Sequence, residues 1–238
     1  HRAAIANAAG ADFVLLGPRA TMLASPTPVI AVCAVRTGAG KSQTSRRIVR
    51  LLRERGLRVA VVRHPMPYGD LSAQRVQRFA TMADVARQGC TIEEIEEYEP
   101  HIVSGSVVYA GVDYADILER AASDADAIVW DGGNNDLPFY RPALHIVVAD
   151  PLRLGNELTY YPGEANLRMA DAVVINKVDT ADLAATEQLR DHIRAAAPGA
   201  LIVEAASPVS ADRPERVTGR RVLVVEDGPT TTHGEMRF

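Results

Sequence analysis

The chain has few groups that would tie it to an oxidising compartment, a membrane or a nucleic acid. Only two cysteines, Cys33 and Cys90, occur in 238 residues, so we expect free core thiols in a reducing cytoplasm rather than a disulfide framework. No stretch reaches about 18 apolar residues and the first residues show no signal-peptide pattern, which argues against a membrane span or secretion. The formal net charge of −4 argues against a general nucleic-acid binder.

What is present favours a globular α/β fold, with 47% hydrophobic and 24% charged residues. From residue 29 onward, apolar segments of strand length alternate with helical patterns, which predicts a mostly parallel sheet with helices on both faces. Buried strands are predicted at 29–35, 57–63, 127–130, 144–149, 172–175, 201–204 and 221–225. Helices are predicted from the end of a glycine loop to Gly56, over 72–88, and over 91–99, where a capping box opens the helix and Pro100 ends it.

A glycine-rich segment, Gly38-Ala39-Gly40-Lys41-Ser42, follows the first predicted strand. Strand, loop and helix in this order are what a phosphate-binding loop requires, with an ordinary turn as the alternative. Backbone N–H groups would surround phosphate oxygens, Lys41 would reach the terminal phosphates from an otherwise exposed position, and the Ser42 hydroxyl would hold Mg²⁺. The nucleotide-binding residues predicted here are Thr37, Gly38, Ala39, Gly40, Lys41, Ser42 and Gln43.

The loop departs from the common G-x-x-x-x-G-K-[ST] pattern because Val35 stands where that pattern has glycine. It is similar instead to the K-G-G-x-G-K-[ST] variant of the SIMIBI branch of P-loop proteins, which includes metal-insertion GTPases, partitioning ATPases and several synthetases. Arg36 stands where that branch often has a second lysine. We therefore place Arg36 beside Lys41 among the candidate catalytic residues.

Two further strands of the predicted sheet end in polar motifs. Asp131 follows the strand at 127–130, and a carboxylate at that point is typical of a Walker B motif that holds Mg²⁺ directly or through water. We predict Asp131 as a catalytic residue and, with Ser42, as a metal ligand, again with a plain turn as the alternative. Gly133 and Asn134, just beyond, are predicted to face the substrate.

The strand at 172–175 is followed by Asn176-Lys177-Val178-Asp179, the N-x-x-D arrangement with lysine by which GTPases read guanine. Its carboxylate would accept hydrogen bonds from the N1–H and N2 amine of guanine, donors that adenine lacks at that edge. Ser207 and Pro208 follow the next predicted strand, where GTPases often place backbone N–H groups near the base. We predict Asn176, Lys177, Asp179, Ser207 and Pro208 as nucleotide-binding residues.

The strand at 57–63 ends in Arg63 and His64, which we predict to bind an anionic substrate, although a capping role for His64 is an equal alternative. Downstream, an acidic run is most simply a solvated helix face. It consists of Glu93, Glu94, Glu96, Glu97 and Glu99.

Taken together, "VRTGAGKSQTSRR", "VVRHPMPYGDL", "GCTIEEIEEYEPHI", "VYAGVDY", "WDGGNNDLPFYRP" and "YYPGEANLRMADAVVINKVD" resemble the cyclic 2,3-diphosphoglycerate synthetase family, also described as predicted GTPases. The resemblance covers almost the whole chain. It implies an enzyme that uses a nucleoside triphosphate and Mg²⁺ to close a small bisphosphorylated acid through an intramolecular phosphoanhydride. The archaeal synthetase is described as ATP-dependent, whereas the guanine motif favours GTP, so ATP and GTP both stay open.

Members of that family are longer at both ends, which agrees with a first residue that is not Met. We interpret 1–28 as the tail of a truncated αβ unit, with a helix at 3–9 and a strand at 12–16, plus a proline-containing linker. Residues 29–228 are the predicted P-loop NTPase domain, and 229–238 the start of a truncated C-terminal region. A homodimer contact in the missing regions stays open.

A highly anionic substrate would need several guanidinium groups. The candidates are Arg36, Arg63, Arg75, Arg141, Arg153 and Arg168. The alternative function is a SIMIBI-type GTPase acting as a regulatory or metal-insertion switch, although the two cysteines and six histidines show no metal-ligand spacing.

Overall fold

The computed structural model describes residues 2–64, 70–132 and 136–223. Eight strands form one sheet in the order β3-β4-β2-β5-β1-β6-β7-β8, and every neighbouring pair is parallel except β3 with β4. The strands are β1 (Val29–Ala34), β2 (Val59–Val62), β3 (Gln77–Phe79), β4 (Val107–Ala110), β5 (Ala127–Asp131), β6 (Leu144–Ala149), β7 (Ala172–Ile175) and β8 (Leu201–Glu204).

Helices cover both faces of the sheet, as predicted. They are α1 (Arg2–Ala8), α2 (Pro18–Thr21), α3 (Lys41–Glu54), α4 (Met82–Arg87), α5 (Ile92–Val103), α6 (Tyr114–Asp124), α7 (Gly163–Arg168) and α8 (Leu183–Ala196). One core joins α3, α4 and α5 to the sheet, and a second core on the opposite face joins α6, α7 and α8 to it. No helix in the described ranges is both long and apolar enough to cross a membrane.

The central strands are valine-rich because both of their faces are buried; all four residues of β2 are buried, for example. Parallel pairing places Val32 of β1 beside Asp131 of β5, and Ala34 beside Val148 of β6. The glycine loop therefore leaves the sheet where the carboxyl ends of three neighbouring strands meet. Ligands of open parallel sheets bind at this edge.

The single helix predicted over 72–88 is wrong. Instead, a turn leads into β3, which pairs antiparallel with β4, and α4 follows. Gln77 and Phe79 are buried while Arg78 between them is exposed, the period of a strand. The Phe79 ring packs 5.0 Å from that of Tyr98, so burial against α5 and pairing with β4 override the local helical pattern.

The predicted stop at Pro100 is also wrong, because α5 continues through it to Val103. A proline at this position cannot donate a hydrogen bond to the carbonyl of Glu96. Tyr98 and Ile102 are buried on either side, so the packing of the last turn stabilises a helix that sequence propensity alone would end. The capping box of Thr91 and Glu94 is present as predicted.

The predictions for the two ends of the chain are confirmed only in part. The helix at 3–9 matches α1, but residues 12–16 form no strand, and Val14, Leu15 and Leu16 are all more than 60% exposed. β8 forms as predicted but is not buried, since it lies at the edge of the sheet. Of the strand predicted at 221–225, the described residues 221–223 are not strand, and the rest lies outside the described residues.

Candidate nucleotide site

The glycine loop turns directly into α3. Gly40 has φ of 107° and precedes the first helical residue, Lys41, a backbone conformation that favours glycine. A Cβ atom on Gly40 would lie 2.0 Å from the Asn176 side-chain nitrogen. Glycine is therefore needed twice here, for the turn and for close contact with the segment after β7.

Lys41 is buried rather than exposed. Its Nζ lies 2.5 Å from one carboxylate oxygen of Asp131, and the guanidinium of Arg63 lies 2.6 Å from the other oxygen. Burial opposes ionisation of Asp131, but Arg63 and Lys41 outweigh it and hold the pKa of Asp131 well below its usual range. The predicted phosphate cation and the predicted metal ligand are thus already paired with each other.

Two residues of α5 extend this network, and sequence reasoning assigned neither of them to the site. Glu97 pairs with the guanidinium of Arg63, and His101 Nε2 lies 3.6 Å from Asp131. Burial opposes the charge on Arg63, yet Asp131 and Glu97 raise the pKa of Arg63. The acidic run is therefore a solvated face only in part: Glu94 is buried and Glu97 reaches the site.

These residues fit Mg²⁺. Magnesium prefers oxygen ligands and is commonly held by one or two protein oxygens together with substrate phosphates and water. Asp131 supplies an ionised carboxylate, and the exposed Ser42 supplies a hydroxyl in the first turn of α3. Among the described residues no group of three or more His, Cys, Asp or Glu side chains could hold a metal ion by itself.

The guanine-type motif lies against the other side of the loop. The Asn176 side chain donates to the Ala39 carbonyl at 2.9 Å, and Lys177 Nζ donates to the Gly38 carbonyl at 2.7 Å. Asp179 accepts from the Ser207 backbone N–H at 2.8 Å. The structure thus brings together the two segments that sequence reasoning predicted to contact the base.

A loop after β6 contacts the same region and was not anticipated. Asp150, directly after the strand, accepts from Lys177 Nζ at 2.8 Å. Asn156 accepts from the Arg36 guanidinium at 2.5 Å, and that guanidinium lies 5.0 Å over the Tyr160 ring. Arg36 is therefore held beside the glycine loop. Asp150 comes directly after the buried strand β6, and Asp131 is the last residue of β5, so the sequence rule that found Asp131 would also have found Asp150.

The remaining candidates are spread over the structure. Thr37 is half-buried in the glycine loop, and Gln43 is exposed in the first turn of α3. Pro208, next to Ser207, is exposed. Burial and nearby Arg63 lower the pKa of His64. Gly133 and Asn134 lie outside the described residues.

Of the six candidate arginines, Arg63 belongs to the ion-pair network and Arg36 lies beside the glycine loop, and the other four have different partners or positions. Arg75 pairs with Asp113 and Asp116, Arg153 with Asp150, and Arg168 with Glu164. Arg141 is exposed and precedes β6, at the edge of the sheet opposite the loop.

The sheet order, the loop and the residues around it define a P-loop NTPase fold. LpxK from Aquifex aeolicus, solved in complex with ATP, matches with a TM-score of 0.51 and 14% identity over 87% of this chain and 77% of that chain. The hydrogenase maturation factor HypB from Archaeoglobus fulgidus matches with a TM-score of 0.49 and 18% identity over 75% and 80% of the two chains.

No protein-family model matches the chain. A curated protein named arginine synthetase ArcE, from Thermococcus kodakarensis, is 60% identical over all 238 residues, which correspond to 53% of that protein. The chain therefore spans about half the length of this curated relative.

Proposed function

We propose that this chain is the nucleotide-binding part of an NTP-dependent synthetase, in which triphosphate cleavage drives formation of a bond in a small substrate. The observation that carries the proposal is the pairing of Lys41 with Asp131 at the carboxyl edge of the sheet, 2.5 Å apart, directly behind the glycine loop. The proposal of a synthetase is also supported by the relative that is 60% identical, because that protein is named an arginine synthetase.

Binding would rearrange this pair. Lys41 would turn to the terminal phosphates, and Asp131, still held by Arg63, would hold Mg²⁺ together with Ser42. The metal supplies charge neutralisation for the phosphoryl group that is transferred. Arg36, fixed by Asn156 and Tyr160, would add a guanidinium beside the loop.

Several polar atoms around the ion-pair network support an acceptor site there. Arg63 Nε, His64 Nδ1, His101 Nδ1 and the Tyr98 hydroxyl are buried without a hydrogen-bond partner in the described ranges. Such atoms are uncommon in folded proteins. In our proposal a polar substrate satisfies some of them, the terminal phosphoryl passes to an oxygen of that substrate, and the nucleoside diphosphate leaves.

A second nucleophile would then attack the substrate atom that bears the phosphorylated oxygen. The bond between that atom and the oxygen would break, and the oxygen would leave as part of inorganic phosphate. A neighbouring phosphate of 2,3-diphosphoglycerate would give the cyclic phosphoanhydride implied by the family resemblance. A nitrogen nucleophile would give a carbon–nitrogen bond, and the relative's name makes arginine the candidate product. The geometry of Asp179 and Ser207 favours GTP, while the family resemblance favours ATP.

The test uses the intact protein with Mg²⁺, ATP or GTP, and each candidate substrate. Phosphorus NMR detects new phosphoanhydride resonances, and amino-acid analysis detects arginine formed from an ammonium donor and a ureido precursor. We expect one of the two products with stoichiometric nucleoside diphosphate, and none with Lys41→Ala. Nucleotide hydrolysis without either product would favour the regulatory GTPase instead.

We also propose a cytoplasmic location, with which the two free thiols agree. A homodimer is a further proposal.

A further inference from the structure

A groove between α3 and the end of α5 carries positive charge that the nucleotide site does not use. Its volume is 360 Å³, within the range of small-molecule sites. We call it the arginine groove, and its lining residues are Arg46, Arg50, Arg53, Glu54, Pro100 and Ser104.

The positive charge is concentrated on one helix of an acidic protein. The sequence of α3 contains four arginines and one acidic residue, and Arg55 follows directly, in a chain of net charge −4. In the described ranges, no arginine from 46 to 55 forms an ion pair with a carboxylate. Arginines three and four residues apart repel one another on a helix, so a bound anion would relieve an unfavourable arrangement.

A hydrogen bond joins the two walls of the groove. The Arg53 guanidinium donates to the Gly105 carbonyl just beyond α5, which ties the two walls together. Glu54 and the carbonyl end of α5 oppose an anion, but three guanidinium groups outnumber the single carboxylate. Guanidinium groups bind phosphate and carboxylate through paired N–H donors.

The groove is distinct from the phosphate loop but connected to it. At 1.5 Å per residue, Arg46 lies about 8 Å and Arg53 about 18 Å along α3 from Lys41. The opposite wall includes Pro100, whose neighbour His101 lies 3.6 Å from Asp131. Both walls therefore belong to helices that contact the Lys41–Asp131 pair.

We propose that the arginine groove binds a small molecule carrying two or more phosphate or carboxylate groups, at a site separate from the nucleotide. The proposal needs no synthetase activity, because it depends only on the groove and its charge. The alternative occupant, an acidic protein segment, is distinguished by the experiment.

The experiment is a calorimetric titration of inorganic pyrophosphate into the Lys41→Ala chain, which lacks the phosphate-loop cation. We expect saturable binding at one site. On this background, Arg50→Gln with Arg53→Gln should weaken binding at least tenfold. The matched control, Arg47→Gln with Arg55→Gln, removes the same charge from α3 and its end outside the groove and should change the affinity less than twofold.

A second variant separates the cavity from its charge. Ser104→Phe fills the groove at an exposed residue without changing any charge, and it should also weaken pyrophosphate binding at least tenfold. Circular dichroism checks that each variant is folded. Equal weakening by the two arginine pairs, an unaffected Ser104→Phe, or no saturable binding would overturn the proposal. Binding of an acidic hexapeptide but not of pyrophosphate would overturn it in favour of a protein partner.

Discussion

The two ends of the proposed nucleotide site, one for phosphate and one for the base, differ in burial and in charge pairing. At the phosphate end, Lys41, Arg63 and Asp131 are each at most 6% exposed and are joined by ion pairs. At the base end, Asp179 is exposed and is oriented by one backbone hydrogen bond from Ser207. In the proposed function, the first end exchanges partners when a ligand arrives, whereas the second already has the arrangement that a base would meet.

Because of this difference, we expect the phosphate end to affect the stability of the fold and the base end to affect the choice of nucleotide base. Charges buried at the phosphate end contribute to folding and, in the proposed function, also to binding, because each would be costly without its partner. The exposed carboxylate at the base end costs little to the fold in either state. Variants at the two ends should therefore affect different measurements.

The largest effect should come from Asp131→Asn. The change leaves Lys41 and Arg63 buried without their shared carboxylate, and we expect the free energy of unfolding to fall by about 3–5 kcal/mol in urea denaturation. The control is Asp126→Asn, which breaks the pair of Asp126 with Arg58, whose side chains are 39% and 63% exposed. It should have a much smaller effect; equal losses would contradict the buried-network description.

Gly40→Ala tests the contact between the two ends. Its Cβ would lie 2.0 Å from the Asn176 amide nitrogen, at φ of 107°. We expect a loss of about 1–3 kcal/mol of stability from backbone strain, with weaker binding of ATP and GTP alike. Gly199→Ala is the control, because no atom lies within 4 Å of its Cβ position. If thermal melts show the same change for both, the loop and the motif are not packed as described.

Asp179→Ala should alter base choice and leave the fold unchanged. Calorimetry should show GTP affinity falling by about 1–3 kcal/mol, the cost of unpaired guanine donors, with ATP affinity and melting temperature preserved. Asp191→Ala, an exposed carboxylate on α8, should change neither affinity. Tighter binding of ATP than of GTP by the unmodified chain would mean that the motif does not select guanine.

The smallest effect concerns His145, a buried residue of β6 whose ring nitrogen lies 3.3 Å from the Cys33 sulfur. Burial lowers the pKa of His145, and the opposing effect of Asp171 is smaller. The unfolded chain then binds more protons below about pH 6.5, so stability should fall as the pH drops through this range, by at most about 1.4 kcal/mol per unit. His145→Gln should reduce this slope; an unchanged slope in pH-dependent urea melts would show that another group is responsible.

The parts of the site that could be predicted from sequence are those carried by short local patterns. An apolar strand that ends in a polar motif indicates the carboxyl edge of a parallel sheet without any tertiary information. The three strands that lead to Lys41, Asp131 and Asn176 all have this pattern. The same rule applied to Asp150 would have added the loop that holds Lys177.

The rest depended on contacts between distant segments. β3 exists because it pairs with β4, and α5 passes Pro100 because its inner face is buried. Glu97 and His101 were not predicted, because they lie in or next to an acidic run whose composition is typical of a solvated helix face. Their spacing with Glu94 and Tyr98 follows a helical period, and this was the available signal for a buried face.

Trp130 is the only tryptophan in the chain and is fully buried one residue before Asp131. The Phe139 ring lies edge-on to its indole at 5.4 Å, and a Cβ on Gly132 would lie 1.9 Å from the indole ring. Tryptophan fluorescence therefore comes from a single position, next in sequence to the carboxylate that pairs with Lys41. If nucleotide binding rearranges that pair as we propose, a change in this fluorescence would allow stopped-flow recording of binding without any attached dye.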